Sequence, residues 1–411
     1  MPPPSGMGDA ASGRMTRLAR FATIAVLATL TASSAARADD AAPAPTPAAP
    51  VDIAAFPPPG PVAPRDPGVE LHGVVAAWWI PWSQDSPTAA TDALRLRFAV
   101  LRIDARPAPG LSVIARLGLM LPGSPLLDLA ATYQPHAAIG VTFGQFRLPI
   151  GASATTLAPQ LTMMDRPGYV YAMTKLAFRD VGAMVHSGPA GLAEGLFHYR
   201  LAITNGSGRL GSGAERTPDR GMYLVAGRAL VDVGRRWLGG SRDRLVAGAT
   251  VVRSHDPAID TGTPATDATL AAGTLGRTLA PIGFERVTVL AGGDLTFAHA
   301  NVWVQAEALY LRSRAVDAPA RRRALGASLE AAWQLPAQLV GHDVQLAARG
   351  ERFDPDLDAA DDARQAASLG VNLSLARLRW SLFGTLTRFD DATSSKPRHA
   401  GELAVRAVAT F

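Results

Sequence analysis

The side chains best suited to chemistry are cations gathered around one long connection. Residues 149–178 hold only three charges, Asp165, Arg166 and Lys175, and Arg147 and Arg179 stand just outside the two ends. A guanidinium keeps its charge in any surroundings and offers a planar fork of N–H donors that matches an oxyanion. Such cations, opposed by little acid in a narrow low-dielectric passage, concentrate the field on anions. The chemistry implied is weak and repeated anion contact, with nothing transformed. A plainer role fits the same residues: Asp165-Arg166 and Arg179-Asp180 are adjacent pairs that could form local salt bridges and shape the connection.

Other constellations are poor. Arg253-Ser254-His255-Asp256 sets serine, histidine and aspartate side by side, but adjacent residues cannot form a proton relay. The eight histidines include no i, i+4 pair, so no metal site is expected. Gly206-Ser207-Gly208 and Gly211-Ser212-Gly213 lack the lysine of a phosphate-binding loop. With no cysteine in 411 residues, disulfides and thiolate sites are excluded. No cofactor and no enzymatic activity are expected.

The elements that must position the cations read as strands. Residues 403–411 place Leu403, Val405, Ala407, Ala409 and Phe411 on one face, with Glu402, Arg406 and Thr410 on the other. One apolar and one polar face suit a wall between lipid and water. From Val69 onward the same period of two marks sixteen segments: 69–80, 94–106, 111–120, 126–134, 138–148, 179–188, 196–205, 222–233, 243–254, 285–296, 301–312, 323–335, 343–353, 365–376, 378–389 and 401–411. Their length suits tilted strands crossing a bilayer, about 9–11 residues each. Connections alternate between short turns and long loops, the pattern of an up-and-down antiparallel transmembrane β-barrel with both termini on the short-turn side.

Parity sorts the side chains. Arg95, Arg97, Arg116, Arg200, Arg228, Arg286, Arg349, Arg379 and Arg406 point inward, with Glu70, Asp128, Asp232, Asp294, Glu307, Glu351 and Glu402. The second strand changes parity between Val100 and Leu101, which predicts a β-bulge near Val100. Trp78, Trp79, Trp82, Tyr310, Trp333 and Phe411 sit near strand ends, as interfacial girdles require.

The amino-terminal residues have a different character. Arg14, Arg17 and Arg20, then the apolar run 21–30, then Ala36-Arg37-Ala38 form a secretory signal over 1–38. Residues 39–68, rich in Ala and Pro, read as an extended periplasmic linker, and 69–411 as the barrel. Removing the leader's four arginines and one aspartate lowers the formal charge from +5 to +2, so the basic balance gives no reason to expect nucleic acid. Arginine supplies 38 of the 40 basic residues, the lysines being Lys175 and Lys396.

Two stretches resemble a known family. Gly144-Gln145-Phe146-Arg147-Leu148-Pro149-Ile150-Gly151, then Met164-Asp165-Arg166 and Arg179-Asp180-Val181-Gly182, resemble the phosphate-selective porins O and P. So does Arg349-Gly350-Glu351-Arg352-Phe353-Asp354-Pro355-Asp356, while Asn205-Gly206 and Gln305-Ala306-Glu307 are also similar. The resemblance covers about 140–411. It implies a trimeric sixteen-stranded porin of the bacterial outer membrane, leaning to anions, whose third outer loop folds into the lumen. On that basis Arg147, Arg166, Lys175, Arg179, Arg95, Arg97 and Arg349 are the candidate constriction residues. The implied partners are outer-membrane lipid, lipopolysaccharide and small permeant anions. The near absence of lysine departs from the strongly phosphate-selective members. A general or sugar-type porin, whose arginines merely balance its acids, is the alternative. A barrel-shaped envelope lipase and a plugged adhesin or scaffold are more distant ones.

Overall fold

The computed structural model describes residues 67–411, apart from 85–93, 121–124, 137, 158–159, 175–178, 189–190, 194, 207–223, 235–242, 257–285, 315–320, 337–339, 359–362 and 391–397. Sixteen strands form where the sequence alternates. They are β1 (Gly68–Gln84), β2 (Leu94–Ala108), β3 (Leu111–Gly118), β4 (Leu126–His136), β5 (Ile139–Arg147), β6 (Arg179–His186), β7 (Phe197–Thr204), β8 (Leu224–Asp232), β9 (Arg244–Asp256), β10 (Arg286–His299), β11 (Val302–Arg314), β12 (Arg321–Gln334), β13 (Asp343–Asp354), β14 (Arg364–Leu375), β15 (Leu378–Phe389) and β16 (Arg398–Thr410). Each expected segment has its strand, with ends displaced by at most four residues. The signal and linker expectations lie outside the described residues.

Every strand pairs antiparallel with its sequence neighbours, and β1 closes on β16. Closure leaves no strand edge unpaired, the condition for β-structure in hydrocarbon. The last residue helps to seal the seam. Phe411 N donates to Gly73 O at 3.0 Å, Gly73 N donates to Phe411 O at 2.8 Å, and the Phe411 ring occupies the space a Gly73 Cβ would need.

Exposure is inverted relative to a water-soluble protein. Leu129, Leu201, Leu329 and Leu369 are exposed on the outer face, while Asp128, Arg228, Asp294, Glu307 and Arg406 are buried within. Lipid solvates the first set, and the second must find its partners inside the barrel.

Two expectations are corrected. The β2 bulge lies at Arg97 rather than near Val100: Ala76 pairs with Phe98 and Ala77 with Leu96, leaving Arg97 as the extra residue. Arg97 thereby falls on the inner side, and Val100, Arg102 and Asp104 follow Phe98 inward. Trp78 is no girdle residue. It sits opposite Arg406 on the inner face and is buried. Trp333 and Phe411, by contrast, are exposed on the outside near the short-turn ends.

Candidate constriction site

The connection from β5 to β6 enters the barrel at Gly151. Its φ of +64° favours glycine, and a Cβ there would stand 2.1 Å from Glu307 Oε1. A one-turn helix, α1 (Ala152–Thr155), follows. Ser153 N donates to Glu307 Oε1 and Oε2 at 3.4 and 3.3 Å, and Gln305 Nε2 donates to Ser153 Oγ at 3.0 Å. Gly151 N donates to Thr250 Oγ1 at 3.2 Å. The same hydroxyl accepts from Arg228 Nη1 at 2.9 Å, and that guanidinium grips Asp294 bidentately at 2.7 and 2.9 Å. A buried, forked charge pair on β8 and β10 thus steadies the loop entrance through one threonine.

The loop tip is held by arginines from the opposite wall. Thr162 O accepts from Asn372 Nδ2 at 2.9 Å and Arg379 Nη2 at 3.0 Å. Met164 O accepts from Arg406 Nη1, and Asp165 O from Arg349 Nη1, both at 2.5 Å. The Asp165 carboxylate receives Arg97 Nη2 at 3.3 Å and the Tyr171 hydroxyl. Arg97 also lies 4.5 Å over the Trp78 ring, a cation–π contact.

The second helix, α2 (Gly168–Thr174), docks on β12 and β13. Gly168 N donates to Glu351 Oε2 at 3.1 Å, and Tyr169 Oη lies 3.0 Å from Ser328 Oγ. Burial, and then the Glu307 charge, push the Tyr169 phenol well above its ordinary value. Burial, and then Asp165, raise the Tyr171 phenol. Both tyrosines are therefore neutral donors near pH 7.

Loop packing is apolar on both sides. Leu148, Ile150, Tyr169, Val170 and Met173 join Leu290, Leu309 and Leu311 of the wall. Met163 and Met164 join Trp78, Phe383 and Ala404. The loop therefore crosses the lumen and contacts strands on opposite sides.

A third group stands at the loop base. Arg147 Nη1 donates to Thr155 O and Thr156 O, each at 3.0 Å. Arg166 Nε donates to Ser153 O at 2.9 Å, and its Nη2 to Thr156 O. Arg179 Nε donates to Asp128 Oδ1 at 2.8 Å, while Arg116 Nη1 takes Asp128 Oδ2 at 2.9 Å. Asp180 accepts from the backbone N–H groups of Val181 and Gly206. One partner of each expected local pair thus reaches further: Arg179 to β4, and Asp165 to Arg97 on β2.

Of the candidate residues, Arg147, Arg166 and Arg179 meet at the loop base, and Arg97 and Arg349 at its tip. The Arg95 side chain and Lys175 lie outside what is described. The segments that carried the family resemblance converge here. Gly151, Asp165, Gln305, Glu307, Arg349 and Glu351 all belong to the loop or hold it. Sequence reasoning placed Arg379, Arg406 and Arg116 on the inner face without choosing them. Their parity was visible, whereas their carbonyl or carboxylate partners depend on long-range packing.

Toward the short-turn end, Glu70, His72, Arg102, Asp104 and Arg106 line a cavity of about 260 Å³ along β1–β3. Arg102 Nε meets Asp104 at 2.7 Å, and Arg106 Nη1 meets Glu70 at 3.0 Å.

No family model matches the sequence, and no curated protein matches it. Solved structures do match. The anion-selective porin from Comamonas acidovorans is 11% identical, with a TM-score of 0.56, covering 84% of this chain and 100% of that one. OprB of Pseudomonas putida is 8% identical with a TM-score of 0.55, covering 84% and 94%. The outer-membrane channel DcaP of Acinetobacter baumannii is 12% identical with a TM-score of 0.52, covering 84% and 97%. The chain has the fold of bacterial outer-membrane porins, a sixteen-stranded barrel with a loop inside. At these identities the likeness concerns architecture alone.

Proposed function

We propose that the protein is an outer-membrane porin that passes small hydrophilic solutes by passive diffusion and prefers anions, phosphate-like oxyanions among them. The observation that carries the preference is Asp128: one carboxylate shared by two guanidiniums, Arg116 and Arg179, leaves a positive charge on the wall beside the loop base. Arg147 and Arg200 extend that charge along β5 and β7. The loop is held mainly on β9 and β11–β16, so the path for solute runs along the facing wall, β2–β7. Arginines there replace part of an anion's hydration without trapping it. The anion-selective Comamonas porin supports this reading through its fold, and the phosphate-selective O and P porins through sequence resemblance. A homotrimer in the outer membrane belongs to the same proposal, and cross-linking of the detergent-solubilised protein tests it.

Reversal potentials across planar bilayers in a KCl gradient test the selectivity. Anion preference is expected, together with a fall in chloride current when phosphate is added. A cation preference overturns it.

A second reading, a general or sugar-type porin, is favoured by the bonds of Arg97, Arg147, Arg166 and Arg349 to loop oxygens, which spend their charge on structure. Replacing Arg166 and Lys175 by alanine discriminates, since a general pore keeps its ion preference.

A further inference from the structure

The cavity at the short-turn end lies apart from the inward loop and has a charge pattern of its own. Val69 and Leu71 of β1 are exposed on the outer face, so Glu70 and His72, at the alternate positions, turn inward. Register sets Glu70 directly opposite Asp104 of β2, and His72 opposite Arg102. Ile114 of β3 continues the Glu70–Asp104 rung. With Arg106 these side chains line the space of about 260 Å³.

The pattern is unsatisfied at one spot and balanced as a whole. Two carboxylates directly opposite one another on a sheet repel. The group between them is His72 Nε2, 3.6 Å from Glu70 Oε2 and 3.5 Å from Asp104 Oδ2, too far for strong hydrogen bonds. Asp104 is only 8% exposed, yet its Oδ1 accepts no hydrogen bond among the described residues. A buried acceptor left in that state costs about 1–3 kcal/mol. The guanidiniums stand on either side of Asp104 along β2. Arg106 Nη1 reaches Glu70 Oε1 at 3.0 Å. Arg102 Nε lies 2.7 Å from Asp104 Oδ2 as an ion pair without hydrogen-bond alignment. Two carboxylates and two guanidiniums cancel. A lone cation or a lone anion entering the cavity leaves it charged, whereas a molecule carrying one charge of each sign keeps it neutral. The spacing suits such a molecule, because alternate residues of a strand are about 7 Å apart and acid and base therefore face the same small solute. The volume falls below the roughly 300–1,000 Å³ of pockets for drug-sized ligands. Ile114 supplies an apolar flank.

We propose that this cavity holds a small zwitterion of the α-amino acid type. Its ammonium sits on the Glu70–Asp104 rung, its carboxylate on Arg106, and an aliphatic side chain rests against Ile114. The site is independent of the ion preference set beside the inward loop. The test titrates L-valine into the detergent-solubilised full chain and reads binding by saturation-transfer NMR. Isobutylamine, which lacks the carboxylate, and 3-methylbutanoate, which lacks the ammonium, are the comparison probes. Valine is expected to bind at least about tenfold more tightly than either, since each half forgoes one charge-assisted contact. Glu70→Gln should weaken valine roughly tenfold and leave 3-methylbutanoate no weaker. Arg106→Gln should weaken valine by a similar factor and leave isobutylamine no weaker. The retained ligand shows in each case that the variant folds. Equal binding of valine and 3-methylbutanoate by the wild type makes the cavity a plain anion site and overturns the proposal. Equal binding of valine and isobutylamine makes it a cation site and does the same. Absence of saturation transfer to valine, or an unchanged valine affinity in both variants, also overturns it. None of these readouts involves ion current, so the selectivity of the pore stands or falls separately.

Discussion

Arg349 on β13 and Asp165 in the inward loop, 184 residues apart in sequence, meet through a 2.5 Å hydrogen bond from the guanidinium to the loop carbonyl. Glu330 and Glu351 flank the same guanidinium at 3.7 and 3.6 Å. Arg349 therefore sets its single charge between two buried carboxylates while it fixes the loop tip.

Arg349→Ala is expected to cost about 3–5 kcal/mol, because it strands buried charge as well as releasing the loop. Arg349→Lys should recover only part of this, since an ammonium cannot serve three acceptors with a planar fork. Heat-modifiable migration on gels reads the stability, and open-channel noise reads the loop. A wild-type thermal profile for the alanine variant contradicts this assignment.

Asp128→Asn should strengthen anion preference. The change removes the only carboxylate that Arg116 and Arg179 are seen to share and leaves both cations on the wall. Arg179→Ala should move the reversal potential the opposite way. If the two variants shift it in the same direction, the shared-carboxylate argument fails.

Gly151→Ala meets the Glu307 carboxylate at the loop entrance and pays for a left-handed backbone as well. A loss of about 1–2 kcal/mol is expected. Glu307→Ala removes the clash but also the acceptor for Ser153 N, so the double variant should cost less than the two single losses combined. Additive losses in denaturant titrations are the contrary result.

Tyr171 makes the loop sensitive to alkali. Its phenol donates to Asp165, and burial followed by that charge raises its pKa above the ordinary 10.0. The folded state thus holds the proton more tightly than the unfolded chain. The stabilisation is complete below pH 10 and is lost as pH climbs from there through the raised value. Channel noise should grow above pH 10 in the wild type. Tyr171→Phe should be noisier at pH 7, by loss of a bond worth about 1 kcal/mol, and should lack that alkaline rise. Identical pH profiles for the two proteins exclude Tyr171 as the source.

The strands were legible because their cause is local. Leu201 and Ile203 alternate with Arg200 and Ala202, and a period of two in side-chain direction turns that alternation into one lipid face and one inner face. Counting such stretches, with short turns alternating against long loops, was enough to specify a sixteen-stranded barrel and the inward parity of Arg228, Glu307 and Arg406. The bulge was readable as a parity slip but not as a position, because Arg97 becomes the extra residue only through the register of β1 against β2. Trp78 was misplaced for a related reason. Tryptophan near a strand end suits an interface, yet register with Arg406 turns it inward to lie beneath Arg97.

The amino-acid order by itself determined strand number, topology and which side chains face water, since each follows from neighbours a few positions apart. Only the tertiary structure decided what the arginines hold. Arg179 takes Asp128 rather than its neighbour Asp180, and Arg349, Arg379 and Arg406 take the carbonyls of a loop some two hundred residues earlier. A guanidinium satisfies whichever acceptor the closed barrel brings to it, and ring closure is a property of all sixteen strands together.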